Sequence, residues 1–386
     1  MKKIYLLSLL LSSIGVYAVE YIPSKAVITV DTEMTGKQTI TDQELTISEN
    51  TTLTLKSGSR LSIINETNIT KTNGDKQWTS PLNNSGTINV EKGATLKLVG
   101  EVNTNTQSYH TKVGTINVSG KVITDTPSTT PYNLYDSSGS NIVINKGGQL
   151  SITVNEVSSA RMGIGTSQSI TINSESGLLT SEFYLAYQDV AAEASKIICG
   201  TKNAFHNLNG EATDIRLAQG SNIIFDMQAG ITNIGSVMLQ NASNSRTLSF
   251  IFAENKGGDV FNIGSFANNI DKNATNTNLT FYNFENDFIK VSDISNLSIS
   301  ENGDLVVLRT TGGVDYTWTI QLTAIGDKIV DGENVIWQKE FSDGWYITEN
   351  GFLNNSNFTI AVPEPAEWAM ILGAVVLGLA IYRRRR

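Results

Sequence analysis

Between Val19 and about residue 300, apolar and polar positions alternate in short runs, and the same unit recurs: a run of apolar-polar-apolar residues, a turn carrying Gly or Asn, then a second such run. Six instances stand out, at Leu45 to Ile64, Gly86 to Gly100, Gly114 to Thr124, Asn141 to Val154, Ser169 to Thr180 and Asp214 to Met227. A period of two residues is that of a β-strand with one face buried. The turn glycines Gly93, Gly120, Gly147, Gly177 and Gly220 are 27, 27, 30 and 43 residues apart. An imperfect repeat of this length predicts an all-β chain and a parallel β-helix or solenoid over residues 19–300. Each turn of such a coil lies on the last, so Ile88, Val90, Leu96 and Leu98 are expected over Ile116, Val118 and Val122 of the next. Thr, Ser and Asn are left to face outward or stack in ladders. No proline occurs between Pro131 and Pro363, as interior strands require. The competing arrangement is a β-sandwich or a string of small sandwiches.

Four segments depart from this rhythm. Phe183, Ala186, Tyr187, Val190, Ala191 and Ala194 follow helical spacing and predict a short helix between Glu182 and Lys196. Residues 66–84 and 125–139 are polar, hold three of the six prolines, and read as extruded loops. Residues 301–360 contain Trp318, Trp337 and Trp345 with hairpin turns at Asn302-Gly303, Gly312-Gly313 and Asp343-Gly344. They predict a small antiparallel unit that caps the exposed end of the coil. An aromatic carbohydrate platform is the functional alternative for the same tryptophans.

The two ends carry a different pattern. Lys2 and Lys3 precede an apolar run from Ile4 to Val16, followed by Val16-Tyr17-Ala18, the layout of a signal peptide cleaved after Ala18. The run falls short of the roughly 20 residues a membrane span needs. At the other end, Val362-Pro363-Glu364-Pro365 precedes a marginal apolar stretch bracketed by Trp368 and Tyr382, and Arg383, Arg384, Arg385 and Arg386 close the chain. Arginines resist export, so a helix here would keep the C-terminus in the cytoplasm and the N-terminal body outside. This order of triplet, helix and basic cluster over residues 361–386 resembles the PEP-CTERM sorting domain. The resemblance implies recognition of Pro363, Glu364 and Pro365 by an exosortase, and Arg383 to Arg386 as the stop-transfer signal. It also implies a single-pass inner-membrane intermediate that is cleaved and passed to the cell surface or beyond, in bacteria that make exopolysaccharide. Signal peptidase and exosortase are thus the expected processing partners. The repeats, with Gly-Thr-Ile-Asn-Val at 86–90 and again at 114–118, are similar to those of autotransporter passengers.

Composition narrows the function further. The formal charge is -9; without Lys2, Lys3 and the four terminal arginines, 22 basic residues face 37 acidic ones, leaving the exported part near -15. The exported part is acidic, so neither nucleic acid nor an anionic polymer is an expected partner without bridging cations. Exopolysaccharide or other surface components remain the expected partner class. The single cysteine, Cys199, sits in an apolar run and reads as a buried thiol. His110 and His206 belong to no metal-spacing motif, so no metal or cofactor is expected. Asp214, Arg216 and Asp226 are the best residues for a polysaccharide lyase or hydrolase, with Asp214 and Arg216 on one side of a strand and Asp226 ending the next. The leading expectation is a non-enzymatic, adhesin-like surface or matrix protein; the alternative is an exported polysaccharide-active enzyme on the same coil.

Overall fold

The structure, a computed structural model, describes residues 17–19, 26–41, 43–65, 69–70, 76–77, 81–100, 113–126, 139–165, 167–185, 193–217, 220–229, 233–243, 245–253, 260–284, 288–331 and 334–358. It is all-β, with one 3-10 turn at Ser356–Phe358 and no α-helix among the described residues. Most strands fall into a long sheet of 15 strands and two sheets of 8, joined near the N-terminus by a sheet of 3.

The two runs of each repeat unit do not form hairpins. Thr87–Val90 lies in the long sheet and pairs with Thr52–Leu55 before it and Thr115–Val118 after it, parallel in both cases. Its companion run, Thr95–Gly100, lies in the second sheet between Arg60–Asn65 and Lys121–Thr126, again parallel. The glycine turn is therefore a corner from one sheet to another, and each run pairs with its equivalents in the neighbouring repeats. Further along, Ser169–Ile172 in the long sheet leads to Leu178–Leu179 in the second, Glu182–Leu185 in the third and Ser195–Cys199 back in the long sheet. This parallel order is compatible with a β-solenoid and differs from the antiparallel pairing of a sandwich.

Register places the core residues as alternation predicts. Ile88 lies beside Ile116, Val90 beside Val118 and Leu96 beside Val122, and all six are buried. One buried row of the long sheet runs Leu53, Ile88, Ile116, Ile142, Ile170, Ile197, Phe225, Phe250 and Phe281. Its change from aliphatic to aromatic comes where the second sheet ends, at Phe205–His206, and the chain alternates between the long and third sheets alone. Cys199 is a buried thiol beside Ile172. Between the repeats the backbones approach closely at Gly114, which has φ +55°; a Cβ there would stand 2.5 Å from the Asn84 carbonyl oxygen.

Two sequence expectations are corrected. Glu182–Leu185 is a strand, with Phe183 and Leu185 fully buried, and Ser195–Cys199 is another. Phe183 thus belongs to a strand and Ala194 directly precedes one; Ala186, Tyr187, Val190 and Ala191 lie outside the described residues. Within the expected loop at 66–84, Leu82–Asn84 is instead a strand pairing in parallel with Leu45–Ile47, with Leu82 buried. Within 125–139, Asp125 and Thr126 end the strand Lys121–Thr126.

Toward the C-terminus the pairing turns antiparallel. Val314–Asp331 continues the long sheet in parallel beside Ala274–Tyr282. On its other edge Leu305–Thr311 pairs antiparallel, followed by Leu297–Ile299. The long sheet therefore runs without interruption into the antiparallel strands. Trp318 is fully buried and its Nε1–H donates to Thr277 Oγ1 at 3.0 Å. Trp345 packs on Phe281 and Phe284, with ring centroids 5.7 and 5.6 Å away. These rings close the core, which corrects the alternative of a sugar-binding platform for these two; the Trp337 side chain lies outside the described residues.

Candidate functional site

Of the residues singled out in the sequence, Ala18 lies in the strand Tyr17–Val19, beside Glu33 of the first full strand of the long sheet. Cleavage after it would leave Thr32–Met34 at that edge. Pro363, Glu364, Pro365 and Arg383, Arg384, Arg385 and Arg386 lie outside the described residues, as does His110. No described helix is long and apolar enough to cross a membrane.

The structure brings Asp214 and Arg216 together with two residues that sequence reasoning missed, Arg161 and Glu182. All four sit on adjacent strands of the third sheet, where Arg161 lies beside Glu182 and Glu182 beside Asp214. Glu182 is buried and receives a two-pronged ion pair from Arg216, Nε to Oε1 and Nη2 to Oε2, each 2.8 Å. Arg161 Nε also reaches Oε1 at 3.0 Å. One carboxylate is thus clamped by two guanidinium groups, the geometry in which such pairs are strongest. Asp214 Oδ1 accepts the Ser236 N–H at 2.6 Å. Burial pushes the Asp214 carboxyl above its ordinary range, opposed by that hydrogen bond and the Arg216 charge and assisted by nearby Glu211.

Asp226 does not join this group. It ends the strand Ser221–Asp226 in the long sheet, whereas Asp214 and Arg216 belong to the third. The expectation of three converging groups assumed that consecutive strands share a sheet, and the corner turn between them removes that assumption.

No known protein family, curated protein or solved structure matches the chain. What it can do chemically is therefore read from its surfaces. Some outward polar side chains meet between neighbouring repeats: on the long sheet Asn117 Nδ2 donates to Asn89 Oδ1 at 2.8 Å, and just past its strand ends Asn145 Nδ2 donates to Ser119 Oγ at 3.1 Å. In and beside the third sheet, Asn262 donates to Asn233 at 3.0 Å and Ser236 pairs with Ser265 at 2.8 Å. Such pairs satisfy side-chain polar groups between strands and leave uncharged, hydrogen-bonding faces. Among the described residues, no group of three or more His, Cys, Asp or Glu side chains is placed to hold a metal ion.

Proposed function

We propose that the chain is an exported, non-enzymatic surface or matrix protein whose body is one β-solenoid over residues 19–300, capped by the antiparallel strands of 301–360. In this reading residues 1–18 direct export, and residues 361–386 hold the protein in the inner membrane until an exosortase removes the anchor. The observation that carries the proposal is the join of two features: a terminal Pro363-Glu364-Pro365, apolar stretch and arginine cluster in that order, and a body of stacked parallel strands with polar pairs outside and a buried apolar row inside. A rigid coil of this kind presents long regular faces away from the cell while depending on no disulfide.

The enzymatic alternative draws on Arg161, Glu182, Asp214 and Arg216. Both oxygens of Glu182 are taken by arginines, so that carboxylate is not poised to give or accept a proton, and the cluster reads as a strut between three strands.

Sorting provides the test. Replacing Pro363, Glu364 and Pro365 with alanine is expected to leave the protein in the membrane fraction at its full post-signal mass, while the parent chain leaves the membrane with its tail removed. Fractionation and intact-mass measurement of both decide it. If the alanine variant still leaves the membrane at the parent's mature mass, the motif has no sorting role.

A further inference from the structure

The second sheet carries a basic strip that the acidic whole-chain charge conceals. Its strands Lys37–Thr41, Arg60–Asn65, Thr95–Gly100, Lys121–Thr126 and Gln149–Val154 stack in parallel, and their first residues align as one outward row: Lys37, Arg60, Thr95, Lys121, Gln149. Two residues further along each strand lies a second row with Thr39, Ser62 and Lys97. Lys37, Arg60 and Lys121 are exposed, and no ion pair engages them among the described residues. Lys97 is largely covered and pairs with Glu156. The hydrogen bond from Lys97, opposed by burial and assisted by the charges of Lys97, Arg60 and Lys121, holds the Glu156 carboxyl below its ordinary range. The other carboxylate on this face, Asp125, accepts the Thr153 hydroxyl at 2.7 Å and the Glu156 N–H at 2.9 Å. Among the described residues, four cations thus face two engaged carboxylates.

The strip is also concave. Lys37, Thr39, Arg60, Ser62 and Lys97 line an open cleft of about 300 Å³. Thr95, beside Arg60 in register, opens onto a second cleft of about 330 Å³ that reaches Lys121 and Gln149. At roughly 4.8 Å between strands, the row from Lys37 to Gln149 spans about 19 Å. We propose that this strip binds an extended polysaccharide bearing carboxylates, laid across the strands. Lys37, Arg60 and Lys121 would meet its uronate groups, and Thr39, Thr95 and Gln149 its hydroxyls.

The chemistry selects this class of polyanion. A single-stranded nucleic acid would want aromatic rings on which to stack its bases, and neither row supplies one. A membrane surface would want an apolar rim along the strip, and among the described residues the exposed large apolar side chains near Glu156 are Val157, at 78%, and Leu208, whose N–H donates to the Ser159 hydroxyl. A sugar chain wants charges at ring spacing with hydroxyl and amide groups between them, which is what the rows offer. The inference deepens the surface-protein reading by naming its ligand class and rests on that reading for encounter with the polymer. Binding in solution fails or succeeds apart from sorting.

The test uses the purified full chain, polygalacturonate as the probe and titration calorimetry at low and high salt. Polygalacturonate is expected to bind, weakening with salt, and the variant K37Q/R60Q/K121Q is expected to lose at least about tenfold in affinity with a shallower salt dependence. All three side chains point outward, so the variant should keep the parent's thermal unfolding temperature. K196Q/K202Q/K272Q, which removes as much charge elsewhere, should bind as the parent does. The proposal is overturned by absent binding, by equal binding of the two triple variants, or by equal binding of neutral dextran. Stronger binding of a single-stranded oligonucleotide or of phosphatidylserine vesicles would overturn the assignment to a polysaccharide.

Discussion

Replacing Phe250 with alanine is expected to cost about 3–5 kcal/mol of folding stability, the range for truncating a fully buried phenylalanine. Phe250 is wholly buried, with Phe225 on one side at 5.4 Å and Phe281 on the other at 5.8 Å, both stacked. Phe261, from the third sheet, approaches to 4.8 Å. The backbone ladders above and below hold the sheet spacing, so the cavity cannot close by collapse and the lost contacts are not replaced. Because stacked repeats touch chiefly their neighbours, the loss should be local. Hydrogen exchange should show the amides of Ser221–Asp226, Arg246–Ile251 and Ala274–Tyr282 losing protection while Thr87–Val90 and Thr115–Val118 keep theirs. A loss under about 1 kcal/mol, far below the usual cost of such a truncation, would mean that the rings are not packed as described.

Arg246→Met is expected to act in the opposite direction and to stabilise the protein by about 3 kcal/mol, as replacement of buried ionic groups by apolar ones of similar volume can do. Arg246 occupies an inward position between Ser221 and Thr277. It is 1% exposed, and none of its three side-chain nitrogens finds a hydrogen-bond partner among the described residues. Burial pushes its guanidinium down to about 10, so at neutral pH the group still carries its charge into the interior. The folded-state value lies below the unfolded one, so the penalty is fully present at any pH below about 10 and is relieved only as pH rises through that value. Denaturant midpoints at pH 7 decide it: Arg246→Met should gain and Arg246→Lys should not. A clear loss for the methionine variant would show that the guanidinium has a partner in the folded chain.

Strand alternation made the core legible because it depends on nothing beyond neighbouring residues: Ile88, Val90 and Leu96 sit where period two puts them. The corner turns were not legible. A glycine turn between two apolar-polar runs serves a hairpin and a corner equally, and only the pairing of equivalent runs tells them apart. The misplaced Asp226 follows directly from that ambiguity. The strut was half visible, since Asp214 and Arg216 fall in a repeat unit, while Arg161 and Glu182 lie on third-sheet strands outside the six clear instances. Phe183 fell in a helical spacing with the residues after it, yet it alternates inward with Leu185 on one short strand. The basic strip was hidden by summation over the chain, although aligning the second run of each unit puts Arg60, Thr95, Lys121 and Gln149 in one column. Whole-chain charge describes solubility, whereas a stacked repeat turns each column of the sequence into a line on the surface.

That the body is one continuous coil is the claim on which the rest depends. Outward positions Asn89, Asn117, Val143, Thr171, Ile198, Asp226, Ile251 and Tyr282 follow one another strand by strand along the long sheet. Spin labels paired between position 89 and position 226, 251 or 282, in a Cys199→Ala background, are separated by five, six and seven strand spacings. At roughly 4.8 Å per spacing, pulsed dipolar spectroscopy should return backbone separations of about 24, 29 and 34 Å, rising in equal steps with narrow distributions. Distances that do not rise in order along this series would contradict a coil and favour separate sandwiches.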